Sequence, residues 1–133
     1  MTTNLTRQEY RVDGLPEPVS HYTDAVRVGN LTFVSGMIAM GPDGQIIGEG
    51  DVVRQTEVVH DYLGLALSAV GSSFAQIAKV TVYVTDIDHR QAIDSVRRRR
   101  FGDRRPASTL VQISALVIPQ ALVEIDAVAV VGS

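Results

Sequence analysis

Two carboxylates interrupt what is otherwise an apolar strand. Leu122 to Val131 is a run of Leu, Val, Ile and Ala broken only by Glu124 and Asp126. Strand periodicity places Leu122, Glu124, Asp126, Val128 and Val130 on one face and Val123, Ile125, Ala127, Ala129 and Val131 on the other. Both faces are mostly apolar, and an unpaired buried carboxylate is costly. Each acid therefore needs an arginine partner, solvent at a strand end, an interface, or a site that uses it. The chemical alternative is that Glu124 lines a small-molecule pocket. Periodicity does not choose between these.

Other reactive side chains are sparse. His21, His60 and His89 are scattered, with no second ligand or base at a mechanistic spacing; His21, beside Tyr22, is the one to follow. No phosphate-binding glycine loop, metal-spaced histidine cluster or nucleophile elbow occurs. With no cysteine at all, disulfides, thiolate zinc sites and thiol nucleophiles are removed together. Neither a metal nor an organic cofactor is implied. The run Arg97 to Arg100 suggests an anion site or a nucleic-acid patch, yet four consecutive helical residues point around the whole cylinder, which describes a mostly solvated helix end. Cations at a helix C-terminus are also favoured there.

The elements that must position these residues follow from pattern. Ala25 to Val28 and Leu31 to Ser35 form a hairpin about Gly29-Asn30, whose members tolerate positive φ. A second turn at Pro42-Asp43-Gly44 joins Met37 to Met40 and Gln45 to Ile47. From Asp51, a plausible N-cap, Val52, Val59, Leu63, Ala66 and Val70 share one helical face, and Gly71 stops the helix. Val80, Val82 and Val84 alternate with polar residues in a strand ending near Asp86. Asp88 with Gln91 reads as a capping box opening a second helix through Arg100, with Ala92, Ile93 and Val96 inside. Last, Ser108 to Ala115 and Leu122 to Val131, linked through Ile118-Pro119-Gln120, read as two paired strands. The fold class is α+β, a mixed and mainly antiparallel sheet with two helices on one face. Two helices cover one face only, so the apolar remainder of the sheet predicts a homo-oligomer.

The chain has 133 residues and 45% hydrophobic content, which suits one domain spanning 1–133. Its first 18 residues are polar, carry Pro16 and Pro18, and read as an arm with at most a short strand near Glu9 to Val12. A net charge of -3 gives no general reason to bind nucleic acid or an anionic membrane. No apolar span approaches about 20 residues, and no charged-then-apolar segment opens the chain, so a soluble cytoplasmic protein is expected.

Several stretches together carry a resemblance: SHYTDAVRVGNLTFVSGMIAM, the helix ending near SAVGSS, IAKVTVYVTDIDH, and RPASTLVQISAL with VEIDAVAV. In this order, over about Val19 to Val131, the chain resembles the Rid/YjgF family of reactive enamine and imine deaminases. The resemblance implies a chorismate-mutase-like homotrimer with sheets packed inward and three equivalent small-molecule clefts between subunits. It makes Glu124 the residue that orients the attacking water, Tyr22 the matching aromatic, and Ser35-Gly36 the pair that contacts substrate through backbone. Asp94 takes a polar helix position that is often asparagine in the family, and the loop from Phe101 to Pro106 looks shortened.

One departure stands out. The family's carboxylate-gripping arginine directly follows a Pro-Ala pair, whereas here Pro106-Ala107 is followed by Ser108. Losing one member of a desolvated charge pair typically costs about 2 to 5 kcal/mol. Ionised Asp94 and Glu124 in the cleft would also repel a carboxylate. The expectation is therefore poor use of standard 2-imino acids, unless Arg104 or Arg105 swings in at the cost of fixed bidentate geometry. Two functional readings follow: a deaminase of some other small enamine or imine, or a non-catalytic ligand-binding or chaperone-like trimer with the same cleft. A nuclease role, sometimes attached to the family's name, is disfavoured by the acidic balance and the missing metal motif.

Overall fold

The computed structural model describes residues 6–132. Six strands and two helices follow one another as β1 (Arg7–Tyr10), β2 (Ala25–Val28), β3 (Leu31–Met37), α1 (Val52–Ala69), β4 (Ile77–Val84), α2 (Arg90–Phe101), β5 (Ala107–Gln112) and β6 (Val123–Val130). They form one sheet in the order β1-β2-β3-β6-β4-β5, antiparallel throughout except for the β4/β5 pair. The α+β class, the mainly antiparallel sheet and the two helices agree with the sequence pattern.

One pairing does not. The strands at the end of the chain were expected to lie side by side, but β5 pairs only with β4, in parallel, and β6 lies between β3 and β4. The reason lies in α2. A strand, a helix and a second strand make a crossover unit whose strands run parallel, so β5 is delivered to the outer edge of β4. The segment after β5 then carries the chain past the end of β4, where Ile113 N–H donates to the Val84 carbonyl (2.8 Å) and Thr85 N–H to the Leu122 carbonyl (3.3 Å). A ten-residue connection of this kind is easily taken for a hairpin loop when only its apolar flanks are visible.

Other elements differ in detail. The β2/β3 hairpin turns at Gly29, which adopts the left-handed φ of 58° that the tight connection requires. The turn at Pro42 to Gly44 closes a single bridge, Met40 with Ile46, instead of a strand pair. Asp51 caps α1, accepting from Arg54 N–H at 3.0 Å, and Gly71 follows its end with φ 82°. The cap before α2 is Asp86 rather than Asp88: its carboxylate accepts from Asp88 N–H (2.9 Å) and starts the 3-10 turn Ile87–His89 that leads into the helix.

The core forms where α1 and α2 lie across one sheet face. Leu63, Leu67, Ile93 and Ile125 are its largest fully buried apolar side chains, with Val82 and Val123 among the valines packed around them. Alternation along β6 is strict: Val123, Ile125, Ala127 and Ala129 are buried, while Glu124, Asp126 and Val128 are half-buried and Val130 is exposed. The arm expectation needs correcting for part of its length. Residues 1–5 lie outside the described residues, but β1 pairs with β2, and Val12 belongs to the core. Buried Asp24 locks this edge, accepting from Val12 N–H (2.7 Å) and from the Arg11 guanidinium.

The face away from the helices stays open. Leu31 pairs across from Val130 and Phe33 from Val128, and Leu31, Phe33 and Val130 are each more than 40% exposed. On the outermost strand, β5, only Leu110 is even half-buried. An apolar open face beside an unprotected strand edge is the kind of surface that a second chain covers. Among the described residues, no helix is long and apolar enough to cross a membrane.

Candidate functional site

Glu124 owes its position to β6. The strand's alternation turns Ile125 into the core and Glu124 onto the open face, opposite Tyr83 of β4. On its other side β3 carries one extra residue between the pairs Val34–Ala127 and Met37–Ile125, a bulge at Ser35-Gly36. Glycine at the bulge lets the carboxyl group lie against the backbone: a Cβ at Gly36 would stand 2.7 Å from both Cδ and Oε2 of Glu124. Val19, Tyr22, Ser35, Gly36, Val117 and Glu124 line the resulting hollow.

The electrostatics of this hollow favour a proton-accepting acid. Glu124 is half-buried, and among the described residues no cation lies within 4.0 Å of its carboxylate. Burial pushes its carboxyl up from the ordinary value of 4.5, and the charge of Asp126 two residues along pushes the same way. Among the described residues Glu124 has no arginine partner, the plain explanation for a carboxylate on this strand. Asp126 has a partner of another kind, accepting from the Tyr83 hydroxyl at 3.2 Å. A half-buried, uncompensated carboxylate facing a hollow is the arrangement that suits a general base toward water.

Tyr22 is 46% exposed at the rim, with its hydroxyl accepting from Val19 N–H at 3.4 Å. Ser35 is more committed. Its N–H donates to the Asp24 carbonyl (3.0 Å) and its hydroxyl to the Thr23 carbonyl (2.5 Å), so both its donors are used to hold the segment before β2.

The remaining sequence-derived site residues lie elsewhere. Ser108 is in register with buried Val80, which puts it on the helix side of β5, whereas Glu124 is on the open side. Through Tyr83, Glu124 aligns with Val111, three residues beyond Ser108. Two strands across and three residues along amount to roughly 14 Å between backbones. One small molecule cannot touch both within a single chain. Asp94, Arg97, Arg98, Phe101, Arg104 and Arg105 line a second hollow beside the C-terminal end of α2.

This second hollow changes the reading of the arginine run. Arg99 and Arg100 both reach Glu57 of α1 at 2.7 Å, and Arg100 also reaches Asp61 at 2.7 Å, so they dock one helix on the other. Arg98 pairs one turn back with Asp94 at 2.9 Å, which offsets the repulsion expected from that acid. Arg97 alone of the four has no carboxylate within 4.0 Å among the described residues; its Nη2 donates to Ser108 Oγ at 2.9 Å. Burial lowers its pKa from the ordinary value, with Asp94 opposing. No local signal in the run tells Arg97 from its neighbours, because the partner each arginine meets depends on how α2 docks on α1.

The histidines are structural or peripheral. His60 is fully buried between Phe74 and Phe101, whose ring centroids each lie 6.0 Å away, with Nδ1 2.8 Å from the Thr56 carbonyl. His21 is exposed and does not line the Glu124 hollow. Among the described residues, no group of three His, Cys, Asp or Glu side chains is placed to hold a metal ion.

Comparison with known proteins gives this geometry a setting. A family model described as endoribonuclease L-PSP matches residues 14–131. The chain is 32% identical over 117 residues to a 3-aminoacrylate deaminase, RutC, of Acinetobacter baylyi, covering 88% of this chain and 92% of that one. It is also 32% identical over 132 residues to a 2-iminobutanoate/2-iminopropanoate deaminase of Capra hircus, covering 98% and 94%. Among solved structures, YyfA from Yersinia pestis, described as a protein of unknown function of the conserved Rid family, superposes with a TM-score of 0.88 at 26% identity, over 95% of this chain and all of that one.

Proposed function

The chain belongs to the endoribonuclease L-PSP family, the Rid/YjgF group whose members include enamine and imine deaminases, and from that premise we propose that it is a hydrolytic deaminase of a small enamine or imine, working as a homotrimer of one-domain subunits. The observation that carries this reading is Glu124, a half-buried carboxylate with no cation beside it, lying over the Gly36 backbone in a hollow rimmed by Tyr22. A burial-raised pKa brings a carboxyl group closer to the working range of a general base.

Glu124 takes a proton from water as the water oxygen adds to the carbon of the C=N bond. The electron pair of that bond moves to nitrogen, which takes the proton back from Glu124 to give the neutral carbinolamine. Glu124 then takes the carbinolamine hydroxyl proton and passes it to the nitrogen, so that the C–N bond breaks, ammonia leaves and the carbonyl forms; the net change is imine plus water to carbonyl compound plus ammonia. An enamine enters the same route after protonation at its carbon end. Tyr22 and Val117 wall the site, and the Ser35-Gly36 corner sets the position of the acid. Ser108, with Asp94 and Arg105 nearby, would form the other side of the cleft from a neighbouring copy, since no single chain can bring it to Glu124. The apolar open face and the exposed edge of β5 supply the surface for that assembly. With a hydroxyl at 108, standard 2-imino acids are not the favoured substrates.

The test is ammonia release above spontaneous hydrolysis from 3-aminoacrylate and 2-iminobutanoate, generated in situ, for the wild type and Glu124→Gln at matched assembly. Activity lost in the variant supports the reading. Wild-type protein inactive on both, yet binding small acids, would support a ligand-binding trimer instead, the reading that the exchange of arginine for Ser108 favours.

A further inference from the structure

We propose that Asp126 and Tyr83 are positioning residues for Glu124: the Tyr83 hydroxyl clamps the Asp126 carboxylate beside the base, and the clamped charge sets the proton affinity with which Glu124 meets water. The inference deepens the deaminase reading and rests on it.

Asp126 is the acid of β6 that the chemistry above leaves unused. It lies in the interior of a central strand, half-buried, with no cation within 4.0 Å among the described residues. Burying a carboxylate without a counter-charge is unfavourable, and neither an ion pair nor a solvated strand end accounts for this one. Its place relative to the base does. Strand alternation puts Asp126 and Glu124 on the same face two residues apart, about 7 Å along the backbone. Tyr83 stands directly across from Glu124 on β4, yet its hydroxyl reaches along the diagonal and donates to Asp126 Oδ2 at 3.2 Å. Neither Asp126 nor Tyr83 lines the hollow around Glu124, so both act through the base and not on a bound molecule.

The surrounding groups leave this charge unopposed. Lys79, the cation on the same face of β4, is turned toward β5, donating to Thr109 Oγ1 (3.1 Å) and to the Val80 carbonyl (2.9 Å). From β3 and β5 the same face receives Phe33, Ser35, Thr109 and Val111, none of which carries a charge. On the inner side of the hollow, Asp24 is held by Arg11 and by Val12 N–H, and the Tyr62 hydroxyl donates to the Met40 carbonyl at 2.7 Å. Tyr22 at the rim adds a hydroxyl, and exposed His21 lies outside. Two carboxyl groups on one half-buried face resist ionising together. Burial first and the Asp126 charge second push the Glu124 carboxyl up. The Tyr83 phenol is pushed up from 10.0 by burial and then by Asp126, which keeps its hydroxyl a donor throughout the working range.

Carboxyl-carbon NMR titration of Glu124 in the assembled protein, its signal assigned by loss in Glu124→Gln, tests the coupling without any substrate. Asp126→Asn keeps an acceptor for Tyr83 and removes only the charge. Glu124 should then titrate at lower pH than in wild type, and Asp126→Glu should stay close to wild type. Tyr83→Phe, which frees Asp126 without removing it, should give a smaller shift in the same direction. In ammonia release from 3-aminoacrylate, the acid limb of kcat/KM should move to lower pH in Asp126→Asn. Its plateau kcat should fall by about 3-fold to 10-fold as the base weakens, against about 100-fold or more for Glu124→Gln. An unchanged Glu124 titration in Asp126→Asn would overturn the proposal and leave the deaminase reading standing. An unchanged titration in Tyr83→Phe would overturn the clamp. Full turnover by Glu124→Gln, whatever the titrations show, would overturn the deaminase reading and with it the catalytic role of the pair. Should Asp126→Asn fail to assemble, Asp126→Thr, a good strand former without the charge, carries the same comparison.

Discussion

The two hollows are opposites. One sits on the open face of a central strand, has an acid at its centre and is held on both sides by sheet pairing, with a bulge to bring backbone against the carboxyl group. The other sits at an outer edge, is lined by four arginines, and is held by a helix end and the loop that leads from it to β5. The first is stiff where chemistry would be done, and the second carries charge where a substrate would be held. Catalytic groups benefit from exact placement, whereas a cationic rim draws in an anion with less demand on geometry. Opposite charge on two separated surfaces of one chain is also what two copies need in order to meet productively.

The comparison is sharpened most by Glu124→Gln. Removing a positioned general base typically costs about 100-fold to 10,000-fold, and turnover should fall accordingly while assembly is kept. Its stability should change in the opposite sense. The folded-state pKa of Glu124 is raised, so as pH rises through 4.5 the unfolded chain ionises first and the fold is penalised. Near neutral pH the variant should melt higher than wild type, and the gap should close below about pH 4. An equal or lower melting temperature at neutral pH would show that the acid is stabilised by contacts and not strained by burial.

Gly36→Ala is the next largest. Its Cβ would collide with the far end of the flexible Glu124 side chain, 2.7 Å away, rather than with backbone. The side chain moves and the fold survives. Activity should drop on the order of 100-fold, as for a misplacement of about 1 Å, with a nearly unchanged melting temperature. A collapsed melting temperature would mean that the bulge tolerates no side chain at all.

Much of the first hollow was legible in the sequence; of the second, Asp94, Arg104 and Arg105 were singled out through the resemblance and Arg97 was not. Alternation along Leu122 to Val131 put Glu124 on one face with Asp126, Val128 and Val130, but with both faces mostly apolar it is the helices, packed on the opposite side, that make this face the open one. The hairpin at Gly29-Asn30 and the caps at Asp51 and Gly71 were equally local and equally readable. What failed was non-local. The neighbour of β5 was decided by α2 carrying the chain across β4, and no pattern within β5 records that. Arg97 was hidden for a similar reason: which of four consecutive arginines meets Glu57, which Asp94 and which Ser108 depends on how α2 docks on α1.

That docking gives the smallest predicted effect. His60 lies between Phe74 and Phe101 with Nε2 unpartnered in the core, and burial lowers its pKa from 6.5. Above 6.5 both the folded and unfolded chains hold it neutral. As pH falls below 6.5 the unfolded chain takes up a proton that the folded one refuses, and stability declines. Chemical denaturation between pH 8 and 5.5 should show this loss, and His60→Leu should flatten it.

Subunit mixing tests the central claim, that the two hollows of different copies make one cleft. Glu124→Gln and Ser108→Glu chains, the second placing a carboxylate on the wall that Ser108 is proposed to give the cleft, are co-assembled in equal amounts and assayed on 3-aminoacrylate. In random trimers one directed interface in four joins an intact Glu124 to an intact Ser108, so the mixture should recover about a quarter of wild-type activity, well above either parent. Activity that stays at the average of the two parents, with exchange of subunits verified, would contradict a shared cleft and return both residues to separate roles within one chain.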